Sequence, residues 1–567
     1  MYLRTLKHIK NTVMRKKSII LLLPLSIVAV CLLLSFSNDR RKFQLSQQLN
    51  IFNSIIKELD LFYVDTIMPE KMIGRGIDAM LSGLDPYTVY YSEKEADELK
   101  MMITGKYAGI GSVIRFHTVK NTTVITDPYE NMPAAKAGLK AGDAILSIND
   151  TDIHGMSTDS VSNMLRGEPG TKLTLVIERP GVKKPITVNI ERASIAMPPI
   201  PYYGIQHDSI GYIQLNSFTE NCSKDMRRAI IDLKGRGATS FIIDLRGNGG
   251  GSLQESVNIV NLFIPKGKTI VTTKGKTNNA NEEYRTTREP LDTESPLIIL
   301  VDGQTASASE ILAGSLQDFD RAVIVGSRTY GKGLVQSTRS LPGNGYLKLT
   351  TAKYYIPSGR CVQALDYSHR SNDGRAQRIP DSLTNIFYTA AGREVRDGGG
   401  IRPDVQPKGE ELSTLLLYLM QDMTIFDFAT EYRLQHDSIA PAQTFELDNQ
   451  SYALFTKKLK ASGFNYDMQS SRILKDLKDM ISFEGYADIT KDEITALESK
   501  LQHNLDHSLA HFSKHVKQLI GDEIIKRYYG QKGEIAYGLR DDADLEESYL
   551  ILNDRARYNS LLAPAAK

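Results

Sequence analysis

Four short apolar runs, Ile210–Leu215, Ser240–Leu245, Leu297–Val301 and Ala322–Val325, constrain this chain more than any other feature. Each is too short for a buried helix and too continuously apolar for a strand with one wet face. They read as strands covered on both sides. Helix-patterned segments at Lys224–Leu233, Leu253–Phe263 and Ser309–Gln317 fall between them. Strands alternating with helices in this way predict a layered α/β core over residues 196–409.

The flanks have a different texture. Residues 40–102 read as helical, with Leu49, Phe52, Ile56 and Leu59 at helical spacing and a break at Asp85-Pro86. Residues 103–195 carry β-type runs at Ser112–Phe116, Thr122–Thr126, Leu173–Arg179 and Ile186–Ile190. Residues 410–567 read as polar helices, for example Lys491–Asn504 and Phe512–Tyr528, without a readable motif. A chain of 567 residues divided like this is multidomain.

The amino terminus is the one segment unlike a soluble protein. Arg4, Lys7, Lys10, Arg15, Lys16 and Lys17 precede an uncharged stretch from Ser18 to Asn38. At 1.5 Å per residue such a stretch can just cross a hydrocarbon core of about 30 Å. Residues 1–39 are therefore expected to form a basic cytoplasmic segment and a transmembrane helix, with residue 40 onward beyond the membrane. A cleaved signal peptide is the alternative and exports the body equally. Either way the protein is expected at the inner membrane, single-pass, with its body in the periplasm or otherwise outside the cytoplasm.

Composition excludes several classes. A net charge of +2 gives no electrostatic footprint for nucleic acid. Cys31, Cys222 and Cys361 have no metal-ligand spacing, and the ten histidines form no HExxH pattern, so neither metal nor cofactor is expected.

Three constellations in the α/β region carry chemistry. Asp244-Leu245-Arg246-Gly247-Asn248-Gly249-Gly250-Gly251 is a glycine-rich loop between a strand and a helix, able to present amide groups to an anion or an oxyanion. It lacks the GK[ST] ending of a P-loop. Thr305-Ala306-Ser307-Ala308-Ser309-Glu310 lies at a strand-to-helix junction, where a nucleophile is presented outward, although Ser307 and Glu310 also fit a capping box. Tyr330-Gly331-Lys332-Gly333-Leu334-Val335-Gln336 places a lysine between glycines that admit a close backbone. If that segment is extended, Lys332, Leu334 and Gln336 share a face. A lysine at its ordinary value of about 10.4 is protonated at neutral pH, so desolvation must lower it before it can act as a base.

Upstream, Gly109-Ile110-Gly111 precedes a β-run, and Pro133–Asn149 (PAAKAGLKAGDAILSIN) closely resembles a PDZ signature. PDZ domains add an extended peptide to a sheet edge and capture its terminal carboxylate on backbone amides.

Residues from about 50 to 407 resemble the C-terminal processing peptidases, also called tail-specific proteases. The resemblance rests on Leu84-Asp85-Pro86-Tyr87, the PDZ signature, Asp244–Gly251, Ser307–Asp318, Thr329–Gln336 and Leu347–Gly359. It implies a ClpP/crotonase-like core with an inserted PDZ module over 103–195. It further implies Ser307 as nucleophile, Lys332 as general base and Gln336 as the lysine's orienter. The implied oxyanion hole comes from Ala308 and either Gly250 or Gly251. Gly109, Ile110 and Gly111 would receive the substrate's tail. Glu310 and Asp318 match family positions but read as structural. Tyr330 departs from the usual Phe. The expected partners are proteins or peptides with free C-termini and the membrane, with homo-oligomerisation left open. Two other readings compete: a membrane-tethered PDZ scaffold with an inactive core, and, on fold analogy, a crotonase-like enzyme acting on acyl thioesters.

Overall fold

The computed structural model describes residues 40–371, 374–409, 413–466, 469–501 and 505–564. The expected membrane helix, Ser18–Asn38, lies outside the described residues. Among the described residues no helix is long and apolar enough to cross a membrane.

The chain divides into two units, Met1–Pro86 and Tyr87–Lys567. In the first, a helix covers 40–62 and a second, Pro69–Ser82, opens with proline, whose missing N–H costs nothing in a first turn.

The second unit contains the β-rich module and the α/β core. In the module, strands Ser112–His117, Thr122–Pro128, Ala144–Ile148, Lys172–Glu178 and Ile186–Glu191 form an antiparallel sheet in that order. Ser112–His117 is an edge strand, and helix Thr158–Leu165 lies beside it. Ile125, Ile145, Leu173, Leu175 and Val161 fill the module's core.

The α/β core is built on a sheet in the order Tyr202–Gln206, Ile210–Gln214, Ser240–Asp244, Leu297–Val301, Val323–Gly326. The last four strands are parallel; the first pair is an antiparallel hairpin. Side chains alternate between two buried faces, as a period of two demands. Ile243, Ile299 and Ile324 pack with Met226, Val257 and Leu312 of the helices Cys222–Gly235, Leu253–Val260 and Ala308–Asp318. Ile242, Ile298, Leu300 and Val325 pack instead against Leu545, Tyr549 and Tyr558. Those three residues belong to helices Ala543–Asn553 and Arg555–Leu562. The carboxy-terminal region thus supplies one whole layer of the core expected within 196–409.

A second sheet carries Val89–Tyr91, Tyr346–Tyr355, Thr269–Gly275 and Glu283–Arg285, with Leu334–Ser340 also paired to Tyr346–Tyr355. Val89–Tyr91 lies in the stretch expected to be helical. Its Val-Tyr-Tyr run has the branched and aromatic side chains that favour a strand, and Tyr346–Lys348 offer a pairing edge.

Candidate active site

Strand Leu297–Val301 ends in a tight turn at Asp302, and the chain enters helix Ala308–Asp318 through Ser307. Ser307 holds φ 58° and ψ −116°, a conformation that a non-glycine residue adopts only at a cost of about 1–3 kcal/mol. Two residues on, Ser309 is fully buried and its hydroxyl donates to the Asn248 carbonyl at 3.0 Å. The two serines are thereby distinguished: Ser307 is partly exposed on a strained elbow, and Ser309 is a core hydrogen-bond donor.

The buried carboxylate of Glu310 organises this elbow. One oxygen, Oε2, accepts the main-chain N–H of Ser307 at 2.9 Å and that of Lys332 at 2.8 Å. The other, Oε1, accepts from the Thr329 hydroxyl at 2.6 Å and the Gly331 N–H at 2.8 Å. Burial pushes the Glu310 carboxyl upward and these bonds oppose it; four donors and no acceptor are what an ionised carboxylate takes. On the opposite, carbonyl side, Tyr354 is fully buried and its hydroxyl donates to the Lys332 carbonyl at 2.7 Å, with the Ser307 carbonyl at 3.2 Å. Ser307 and Lys332, 25 positions apart, are therefore tied through both their amides and their carbonyls. Glu310 does form half of the capping arrangement visible in the sequence, but it also reaches the lysine loop.

The glycines beside Lys332 do what close approach requires. A Cβ on Gly331, at φ +88°, would meet Ala364 at 2.4 Å, and one on Gly333 would meet the Gln363 nitrogen at 2.8 Å. The Lys332 ammonium lies 4.4 Å from the centre of the Tyr87 ring. Burial, reinforced by hydroxyl contacts with Tyr330 and Tyr367, raises the Tyr87 phenol far above its usual value, so the ring stays neutral. Tyr330, the departure from the family's Phe, adds only this 3.4 Å hydroxyl contact.

The shared face expected of Lys332, Leu334 and Gln336 does not form as drawn. The strand begins only at Leu334, so Lys332 precedes it; the register shift at Val335/Gln336 places the extra residue, Thr351, on the partner strand, and Leu334 and Gln336 keep the period of two. The Gln336 side chain donates to Thr350 Oγ1 at 3.2 Å.

The glycine loop closes the other side. Asn248 accepts the Ala306 N–H on its carbonyl at 3.0 Å and the Gly250 N–H on its side chain at 2.9 Å. Gly250, at φ +102°, has room for no side chain: a Cβ would sit 2.8 Å from Ser307 Cβ and 3.0 Å from the Ala308 nitrogen. Gly251 forms an isolated bridge with Phe218. Among the described residues, the amides of Ala308 and Gly251 donate to no main-chain carbonyl in loops or turns. Asp318 is buried against Arg360 at 2.8 Å and accepts the Ser358 N–H, a structural pairing away from Ser307.

In the β-rich module, Ile110 accepts the Ala134 N–H and Gly111 the Tyr129 N–H on their carbonyls. Neither the Ile110 nor the Gly111 amide donates to a main-chain carbonyl among the described residues. A Cβ on Gly111, at φ +70°, would meet Met132 at 2.6 Å.

Nothing in the sequence pattern singled out Tyr354 or Tyr87. Both lie within the stretches that carry the family resemblance, and a buried hydroxyl leaves no periodic trace.

Comparison with known proteins matches this layout. Residues 209–367 fit peptidase family S41, residues 124–179 a PDZ domain, and residues 415–552 the C-terminal helical domain of probable PDZ-proteases. The chain is 35% identical over 345 residues to the carboxy-terminal-processing protease of Bartonella bacilliformis, spanning 60% of this chain and 77% of that one. It is 32% identical over 311 residues to the carboxy-terminal processing protease CtpA of Bacillus subtilis, spanning 55% and 66%. A solved structure, the photosystem II D1 C-terminal processing protease, is 25% identical, covering 63% of this chain and 87% of that one with a TM-score of 0.35. A PDZ module, an α/β peptidase core and a helical C-terminal domain make this a serine-type peptidase. The chain belongs to the carboxy-terminal-processing proteases of family S41.

Proposed function

We propose that the protein cleaves polypeptides near their C-termini with a Ser307–Lys332 dyad, taking substrate tails in its PDZ module. The observation that carries this reading is the double tie between the two residues, on Glu310 Oε2 and on the Tyr354 hydroxyl. An ordinary cap needs no such link to a lysine loop.

Neutral Lys332 takes the Ser307 proton as Oγ attacks the scissile carbonyl, and the resulting ammonium protonates the leaving amine. Water then releases the acyl group with the lysine again as base. The face of Tyr87, 4.4 Å from the Lys332 nitrogen, favours the ammonium form that follows proton uptake. The Ala308 amide is one oxyanion donor. Because the Gly250 amide is already given to Asn248, the second donor is Gly251, and Gly250 supplies the room. Each such donor is worth about 3–4 kcal/mol of barrier. Gln336 supports the lysine from the strand behind it.

The Ile110 and Gly111 amides, beside the free edge of Ser112–His117, receive the terminal carboxylate. The basic and uncharged amino terminus anchors the protein, with its catalytic part in the periplasm or otherwise outside the cytoplasm. The test uses three substrates of one sequence, ending in Leu-Ala-Ala, in amidated Leu-Ala-Ala, or in Asp-Asp-Asp. Preferential cleavage of the first is expected. Equal cleavage of all three would refute tail recognition, and no cleavage of any peptide by the full chain would refute the protease reading.

A further inference from the structure

The glycine loop is held from an unexpected direction. Arg246 opens the loop, and its guanidinium donates to Asp244, with Nη2 to Oδ2 at 2.6 Å. The same group pairs with Asp542 at 2.7 Å and Asp544 at 3.1 Å, 298 positions away in the case of Asp544. Asp542 is the N-cap of helix Ala543–Asn553, accepting the N–H groups of Asp544 and Leu545. Both carboxylates therefore sit on a fixed helix terminus rather than on a loose tail. The helical domain that carries them also grips the PDZ module. Arg115 donates to the carbonyls of Met420 and Gln421, His117 meets Asp427 at 3.1 Å, and Val124 and Ala144 pack against Met423 and Phe426.

We propose that Asp542 and Asp544 are positioning residues for peptide cleavage, fixing through Arg246 the glycine loop that borders Ser307. This rests on the assignment of that loop to the oxyanion side. The helical domain is thus the common support of the tail-binding module and of the loop, and an arginine with three carboxylates can hold only one orientation.

The test is the full chain carrying Asp542→Asn and Asp544→Asn. Asparagine caps a helix as well as aspartate, so the charge is removed and the cap is kept. We expect kcat to fall about tenfold or more, with KM within about twofold and little change in Tm, because the loop acts on the transition state. A kcat within about twofold of wild type would overturn the proposal. So would a fall matched by an equal loss of folded protein, measured by circular dichroism, since that reports unfolding alone. If the double variant does not fold, Asp544→Asn alone leaves the cap untouched and should lower kcat about threefold, with no change overturning the proposal. Ser307→Ala separates the two readings. An active Ser307→Ala sinks the dyad, whereas an inactive one beside an unaffected Asp542/Asp544 variant sinks only this inference.

Discussion

Tyr354 holds Lys332 by its main chain: the tyrosine hydroxyl donates to the lysine carbonyl at 2.7 Å, inside the core and 3.2 Å from the Ser307 carbonyl. One hydroxyl hydrogen is shared between two carbonyls, and that of Lys332 takes the shorter contact. Tyr354→Phe removes a single atom and with it the buried hydrogen bond to the Lys332 carbonyl, at a cost of about 1–3 kcal/mol. We expect kcat to fall about tenfold with KM nearly unchanged, since the hydroxyl touches no substrate. Steady-state kinetics on the full chain check this, and a wild-type kcat would remove Tyr354 from the site.

Ser307→Ala should be inactive and fully folded, because alanine keeps the same Cβ on the same strained elbow and opens no cavity. Ser309→Ala should stay active. It loses one buried hydrogen bond of about 1 kcal/mol, but the Asn248 carbonyl keeps the Ala306 amide. Activity and Tm of the two variants, measured side by side, decide which serine reacts.

Tyr87→Leu should move the acid limb of kcat/KM to lower pH. An aromatic face under an ammonium favours the protonated form, so removing it makes the neutral base available at lower pH. A pH profile displaced to higher pH would contradict the role given to Tyr87.

The alternating core was legible because its strands are buried on both faces and so need no periodicity to be recognised. Leu297–Val301 lies where the apolar run placed it, and helix Ala308–Asp318 differs from expectation by one residue at each end. The origin of the core's second layer was not legible. Helix Ala543–Asn553 buries Leu545, Ser548, Tyr549 and Ile551, a face too short to name the distant sheet it covers. The face shared with Gln336 was read from a strand running through Lys332, whereas the strand begins at Leu334. Glu310 was legible as a cap but not as a hub, because its other donors lie about twenty positions downstream.

The helical domain carries a stability signature of its own. Burial, and then the nearby Glu534, pushes the Asp522 carboxyl up to about 7. A carboxyl raised from its unfolded value binds its proton more tightly in the folded state, so stability falls as pH rises from about 4 to 7 and levels off above. Asp522→Asn should remove that loss, raising stability by up to a few kcal/mol at pH 8 and hardly at all at pH 4. Thermal unfolding across this range checks it; equal effects at both pH values would contradict the assignment.

The most direct test of the dyad is the turnover of a peptide with a free C-terminus by Lys332→Ala. The Glu310 and Tyr354 ties reach the main chain of residue 332, so the loop should keep its shape while losing only the amine. The account predicts no measurable kcat, a wild-type Tm, and a double Ser307→Ala/Lys332→Ala variant no worse than either single one. If Lys332→Ala retains more than about a tenth of wild-type kcat, less than roughly 1.4 kcal/mol of barrier depends on the lysine, and it is not the base.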